Sequence, residues 1–204
     1  MSAHCCAPQA AAKTQAFRRA LWIALAVNAS MFVLEIVAGV SAGSLALLAD
    51  ALDFFGDSAN YAISLLVLGM LPVWHARAAM LKGLSMGVFG CFVLGAALWR
   101  VWQGAAPEPI TMGVVGVLAL LANVAVAWLL YAFREGNANM RSVWLCSRND
   151  ALGNLAVVAA AVGVFGTGSH WPDVAVAAVM ASLALTASVQ VVVQARAELR
   201  GQQA

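Results

Sequence analysis

The chain has 204 residues, 63% of them hydrophobic and 10% charged, with a mean hydropathy of +0.87. Soluble domains run near 45–50% apolar and about 25% charged, so this composition excludes an ordinary water-soluble domain and implies an integral membrane protein. A formal net charge of +2 is too small to suggest a nucleic-acid binder.

The opening stretch, MSAHCCAPQAAAKTQ, has no apolar core, so no cleavable signal peptide is expected and the spans themselves direct insertion. Six stretches reach the roughly 17–25 residues that a bilayer requires: 17–39, 44–71, 78–102, 110–133, 143–166 and 174–193. The expected fold is therefore all-α, a six-helix membrane domain over 17–195 between short tails at 1–16 and 196–204. Pro72, Pro107, Pro109 and Pro172 fall between spans and none falls inside one, so unbroken helices are predicted. Lys13, Arg18, Arg19, Arg77, Lys82, Arg134, Arg141, Arg148, Arg196 and Arg200 share one side, and only Arg100 opposes them. That asymmetry predicts both termini in the cytoplasm and a multi-pass protein of the cytoplasmic (inner) membrane. Trp22, Trp74, Trp99, Trp102, Trp144 and Trp171 lie near span ends, as interfacial aromatics should. Trp128 is internal and reads as packing.

The second span is the least typical. Its segment LALLADALDFFGDSANY, residues 45–61, places Asp50, Asp53 and Asp57 within one narrow arc of a helix, which Asn60 and Tyr61 extend. A carboxylate in hydrocarbon costs at least about 2.5–3.5 kcal/mol on insertion scales, so three together require a compensating partner or a water-filled cavity. For a row of hard anions that partner is a cation. The fifth span carries a matching stripe, with Cys146, Asp150 and Asn154 recurring every four residues. The two helices run in opposite directions, and Asp53, Asp57 and Asp150 lie near mid-depth. Asp53, Asp57, Cys146 and Asp150 thus form a ligand set suited to a four-coordinate divalent ion such as zinc or cadmium. Alternatively Cys146 only packs, and Asn154 or water fills the fourth place. Cys91 reads as core packing, His75 and His170 as loop residues, and Asp173 as a loop residue. The four cysteines, two adjacent and two in apolar stretches, do not form an extracellular disulfide framework.

The motif GSLALLADALDFFGD, residues 43–57, resembles the second-helix signature of the cation diffusion facilitators. LCSRNDALGNLAVV is similar to the fifth-helix pattern of that family, with Cys146 in place of its histidine. NASMFVLEIVAGVSAG is similar to its first helix, with Asn28 and Glu35 on one face. The resemblance implies six membrane helices, both termini cytoplasmic, and metal ligands at Asp53, Asp57 and Asp150, with Asp50 flanking. It implies export of divalent heavy-metal cations coupled to protons, with no resident cofactor and no enzymatic activity. The thiolate at Cys146 tilts the expected cargo toward soft ions beside zinc.

Three departures from the family pattern bear on this expectation. Cys146 is one. Another is that the chain stops at Ala204, without the soluble metal-binding domain of most relatives, so any homodimer is expected to be held by the membrane helices or the short termini. The third is that the loop FREGNANMRS lacks histidine. His4, Cys5 and Cys6 are candidates for capturing metal at the cytoplasmic face, or else belong to a passive tail. Glu35, Asp50 and Asn154 are candidates for supporting the ligands or carrying protons. The competing functions are a membrane metal sensor or accessory protein without transport, and an intramembrane metalloenzyme. The latter lacks a base beyond the ligand set.

Overall fold

The computed structural model describes the backbone of residues 7–66, 72–133 and 138–201, and the side chains of 15–66, 77, 79–133, 150–197 and 199–200. His4, Cys5 and Cys6 lie outside the described residues, and Cys146 is described in its backbone only. Six helices follow one another: α1 (Ala7–Ala42), α2 (Leu45–Leu66), α3 (Pro72–Gln103), α4 (Pro109–Tyr131), α5 (Ala138–Thr167) and α6 (Trp171–Gly201). No strand occurs among the described residues. All six predicted spans are recovered, and α1 begins inside the stretch assigned to the tail, at Ala7.

Among the described residues, five of the helices are long and apolar enough to cross a membrane. The exception is α2, whose 22 residues include three aspartates. It is also the helix whose first two turns are wholly buried, from Leu45 to Leu52. The protein is therefore an all-α, multi-pass membrane protein with its most polar helix inside the bundle, where protein rather than lipid surrounds the charges. The outer surface carries Val33, Val37, Val88, Leu98, Val162, Phe165 and Leu183, while Asn28, Glu35, Asp50, Asp57, Asn123 and Asn154 are buried. Apolar outside and polar inside is the arrangement lipid imposes.

The helices start where the prolines fall. Pro72 opens α3, Pro109 opens α4 and Pro172 lies in the first turn of α6, positions where a missing N–H costs nothing. Glu108 caps α4 by accepting from Ile110 N at 2.9 Å and Thr111 N. The α1–α2 turn is made at Gly43, whose φ of 63° an L side chain seldom adopts. Just before it, a Cβ on Gly39 would stand 2.9 Å from the Leu48 side chain. This explains the glycine pair as turn and close approach rather than as a dimerisation motif.

α3 pairs most extensively with α6, α4 with α5, and α1 with α2. Along α3, a Cβ on Gly83 would meet Val192 at 2.9 Å, on Gly87 Ser188 at 2.8 Å, and on Gly90 Leu185 at 3.1 Å. Their absence lets α6 lie almost on the α3 backbone, and Ser188 Oγ donates to Gly83 O at 2.6 Å. Among the described residues two large apolar clusters, with a small third of Met31, Phe54 and Ala119, fill the bundle. One gathers the first half of α2 with Val93, Met112, Val157, Val164 and Ala181. The other gathers Tyr61 and Leu65 at the far end of α2 with Phe17, Leu21, Val126 and Leu130. Along α2, Asp53 and Asp57 lie between the two, and Asp50 falls within the stretch of the first.

Several positions differ from expectation. Cys91 is exposed on the outside of α3 rather than packed in the core, and Trp128 is 83% exposed. Hydrophobicity does not separate lipid-facing from core-facing residues, because both environments are apolar. His75 is helical, within α3, although His170 does occupy the α5–α6 connection. Lys82, counted among the basic residues that set orientation, is buried within α3. Asp173, read as a loop residue, is fully buried in the first turn of α6.

Candidate metal centre

The site is built where α2 and α5 cross. Asp57 and Asp150 lie side by side with their carboxyls within hydrogen-bonding reach. Nearer the start of α2, Asp53 Oδ2 lies 3.9 Å from where a Cβ of Gly153 would stand. One turn further, Asn154 Nδ2 donates to Asp50 Oδ2 at 2.5 Å. Residue numbers rise along α5 as they fall along α2, so the two helices are antiparallel and in the register that the paired stripes predicted. Gly153 matters here because any side chain would occupy space beside Asp53.

Asp57 is held from its own helix, where Tyr61 Oη donates to its Oδ2 at 2.5 Å, one turn on. Lys82 of α3 stands near enough to interact electrostatically with Asp57, and its Nζ donates to Asn60 Oδ1. A cation thus already borders the carboxylate layer, supplied by a third helix. Among the described residues no donor reaches Asp53, which leaves both its oxygens available. Asp50 turns away from this group toward Asn154 and Glu35 of α1.

The structure thus brings together Asp53, Asp57 and Asp150, with Asp50, Asn154 and Glu35 alongside. Among the described residues no three His, Cys, Asp or Glu side chains converge closely enough to form a ready-made metal cage. Asp57 and Asp150 instead contact each other, an arrangement that a divalent cation could replace by drawing both carboxylates onto itself. Cys146 lies one helical turn before Asp150 on α5, but its side chain falls outside the described residues, as do His4, Cys5 and Cys6.

Sequence reasoning missed three polar residues. Asn123 of α4 donates from Nδ2 to Asn154 Oδ1 at 2.8 Å; its signal was a lone amide amid an apolar span. Lys82 carried the signal of a basic residue inside a predicted span. Asp173 followed a Trp-Pro pair, a helix-start pattern.

A membrane bundle whose centre holds paired carboxylates on two antiparallel helices is a multi-pass membrane protein with an acidic layer inside it. The chain belongs to the cation efflux family: the Cation efflux transmembrane domain matches residues 21–199. It is 30% identical over 171 residues to the metal cation efflux system protein CzcD of Cupriavidus metallidurans, covering 78% of this chain and 54% of that protein. It is 30% identical over 167 residues to the zinc transporter ZitB of Escherichia coli, covering 74% and 52%. It is 24% identical over 184 residues to a protein of Bacillus velezensis named cadmium, cobalt and zinc/H(+)-K(+) antiporter, covering 82% and 58%. The chain spans about half the length of the curated relatives it matches.

Proposed function

We propose that the protein exports divalent cations, zinc and cadmium foremost, from the cytoplasm across the inner membrane, in exchange for protons. The observation that carries this reading is the α2–α5 register, which sets buried Asp57 against half-buried Asp150 and leaves half-buried Asp53 open beside them. Asp53, Asp57 and Asp150 supply hard oxygen ligands, and Cys146 adds a thiolate to the set. A carboxyl pair in an apolar interior needs a positive charge between its members. Either protons or a divalent ion can provide it, so one site can carry both cargoes alternately. The basic residues orient both termini to the cytoplasm, and rocking of the helices exposes the site to each side in turn. A homodimer forms through the membrane helices, and His4, Cys5 and Cys6 deliver metal from the cytoplasmic face. The names of the relatives support metal efflux as the activity.

The test is flux. The purified protein in liposomes, with a trapped zinc indicator and an imposed proton gradient, moves zinc, whereas a sensor or a metalloenzyme moves none. Asp57→Ala and Asp150→Ala each abolish the flux while remaining inserted and folded. Wild-type flux in either variant sinks the site.

A further inference from the structure

Beyond the candidate ligands, four buried side chains connect four helices. Asn123 of α4 donates to Asn154 of α5 at 2.8 Å. Asn154 donates to Asp50 of α2 at 2.5 Å, and Asp50 faces Glu35 of α1. All four are at most 1% exposed. The direction of the chain is fixed by chemistry. Asp50, as a carboxylate, only accepts, so the Asn154 amide turns its NH2 toward Asp50 and its carbonyl toward Asn123.

The count of donors then fails at Asn123 Oδ1 and, more heavily, where Asp50 meets Glu35. Asp50 Oδ1, Glu35 Oε1 and Glu35 Oε2 receive no hydrogen bond. Two ionised carboxylates facing each other in an apolar interior, with three oxygens unfilled, would be very costly. One proton between them resolves the contact. It belongs on Glu35, because Asp50 already has the Asn154 amide to support its charge and Glu35 has nothing comparable. Among the described residues the only other acidic group acting on Glu35 is Asp53, also of α2, which opposes a second negative charge there.

We propose that Glu35 is a fixed carboxylic-acid donor to Asp50, and that Glu35, Asp50, Asn154 and Asn123 form a strut which sets α2 against α5. The strut grips α2 one turn from Asp53 and α5 one turn from Asp150. It therefore fixes how far the carboxylates of the two helices stand apart. Glu35 and Asn123 touch no cargo; they are positioning residues. The proposal rests on the metal-site reading given above.

The test uses the full-length protein in liposomes, with zinc as the probe and with half-saturating concentration, maximal rate and pH profile read separately. Groups that orient metal ligands typically contribute 10–100-fold to metal affinity. Glu35→Ala and Asn123→Ala should each raise the half-saturating zinc concentration about tenfold or more, with the maximal rate changed less than about threefold. Glu35→Gln, whose amide N–H still donates to Asp50, should recover most of that loss and keep the wild-type pH profile. The double variant Glu35→Ala/Asn123→Ala should be little worse than the worse single, since residues of one network do not act additively. Loss of transport or a shifted pH profile in Glu35→Gln overturns the proposal, because Glu35 would then have to release its proton. Multiplying effects in the double variant also overturn it. If Glu35→Ala fails to fold, Glu35→Gln and Asn123→Ala still decide. Wild-type flux in Asp57→Ala and Asp150→Ala would refute the metal site itself, a separate result.

Discussion

Replacing Asp173 by alanine should unfasten the start of α2. The Asp173 carboxylate, fully buried in the first turn of α6, accepts from Ser44 Oγ at 2.7 Å, Leu45 N at 2.9 Å and Ala46 N at 3.0 Å. Ser44 Oγ in turn accepts from Leu47 N at 3.2 Å. The orphan N–H groups of the first turn of α2 are thus satisfied by an acid from a different helix. Deleting it strands three donors in an apolar interior. Each orphaned buried donor costs about 1–3 kcal/mol, and Ser44 can turn to recover part of the loss, so we expect a destabilisation of about 3–5 kcal/mol. Asp173→Asn keeps one acceptor but sets an NH2 against a donor, and should cost about 2 kcal/mol. Ser44→Ala removes one link and should cost about 1 kcal/mol. The assay is equilibrium unfolding of the detergent-solubilised protein by sodium dodecyl sulfate, followed by tryptophan fluorescence. Because Asp50 follows one turn later, the alanine variant should also need more zinc for half-maximal transport. A destabilisation below about 1 kcal/mol for Asp173→Ala would refute the reasoning, since three stranded donors cannot cost so little.

Other outcomes follow from the same structure. Cys146→His should keep zinc transport and lower the cadmium-to-zinc ratio, while Cys146→Ser weakens both ions, cadmium more; parallel flux measurements check this, and an unchanged ratio in the His, Ser and Ala variants removes Cys146 from the site. Gly83→Ala should cost about 1–3 kcal/mol in the same unfolding assay, because its Cβ would meet Val192 at 2.9 Å and the Ser188 carbonyl at 3.3 Å. Gly95→Ala, with nothing within 4 Å, should be neutral or slightly stabilising. Hydrogen bonds from Thr111 and Ile110 hold the Glu108 carboxyl below the ordinary glutamate range. A depressed group stabilises above its unfolded value and loses that contribution as pH falls through the folded one. Glu108→Gln should therefore lower the melting temperature at neutral pH, and the gap should close in acid.

The sequence by itself determined the solvent, the element type and which acidic residues share a helix face. Hydrocarbon requires every backbone group to be bonded within its own segment, so long apolar runs could only be helices. A charge inside such a run carries a large penalty, and so Asp50, Asp53, Asp57 and Asp150 stood out as candidates from spacing alone. The facing register of α2 and α5 followed from the same periodicity. Tertiary structure decided what periodicity cannot carry. Which apolar faces meet lipid and which meet protein is invisible in composition, as Cys91 and Trp128 illustrate, because lipid and core solvate a side chain almost alike. Long-range pairings were equally hidden. That Asp173 caps a helix 128 residues earlier in the chain, that Lys82 reaches Asn60, and that Asn123 completes a chain to Glu35 depend on which helices become neighbours. That choice is made by glycines such as Gly83 and Gly39, where the lack of a side chain lets two backbones close on each other.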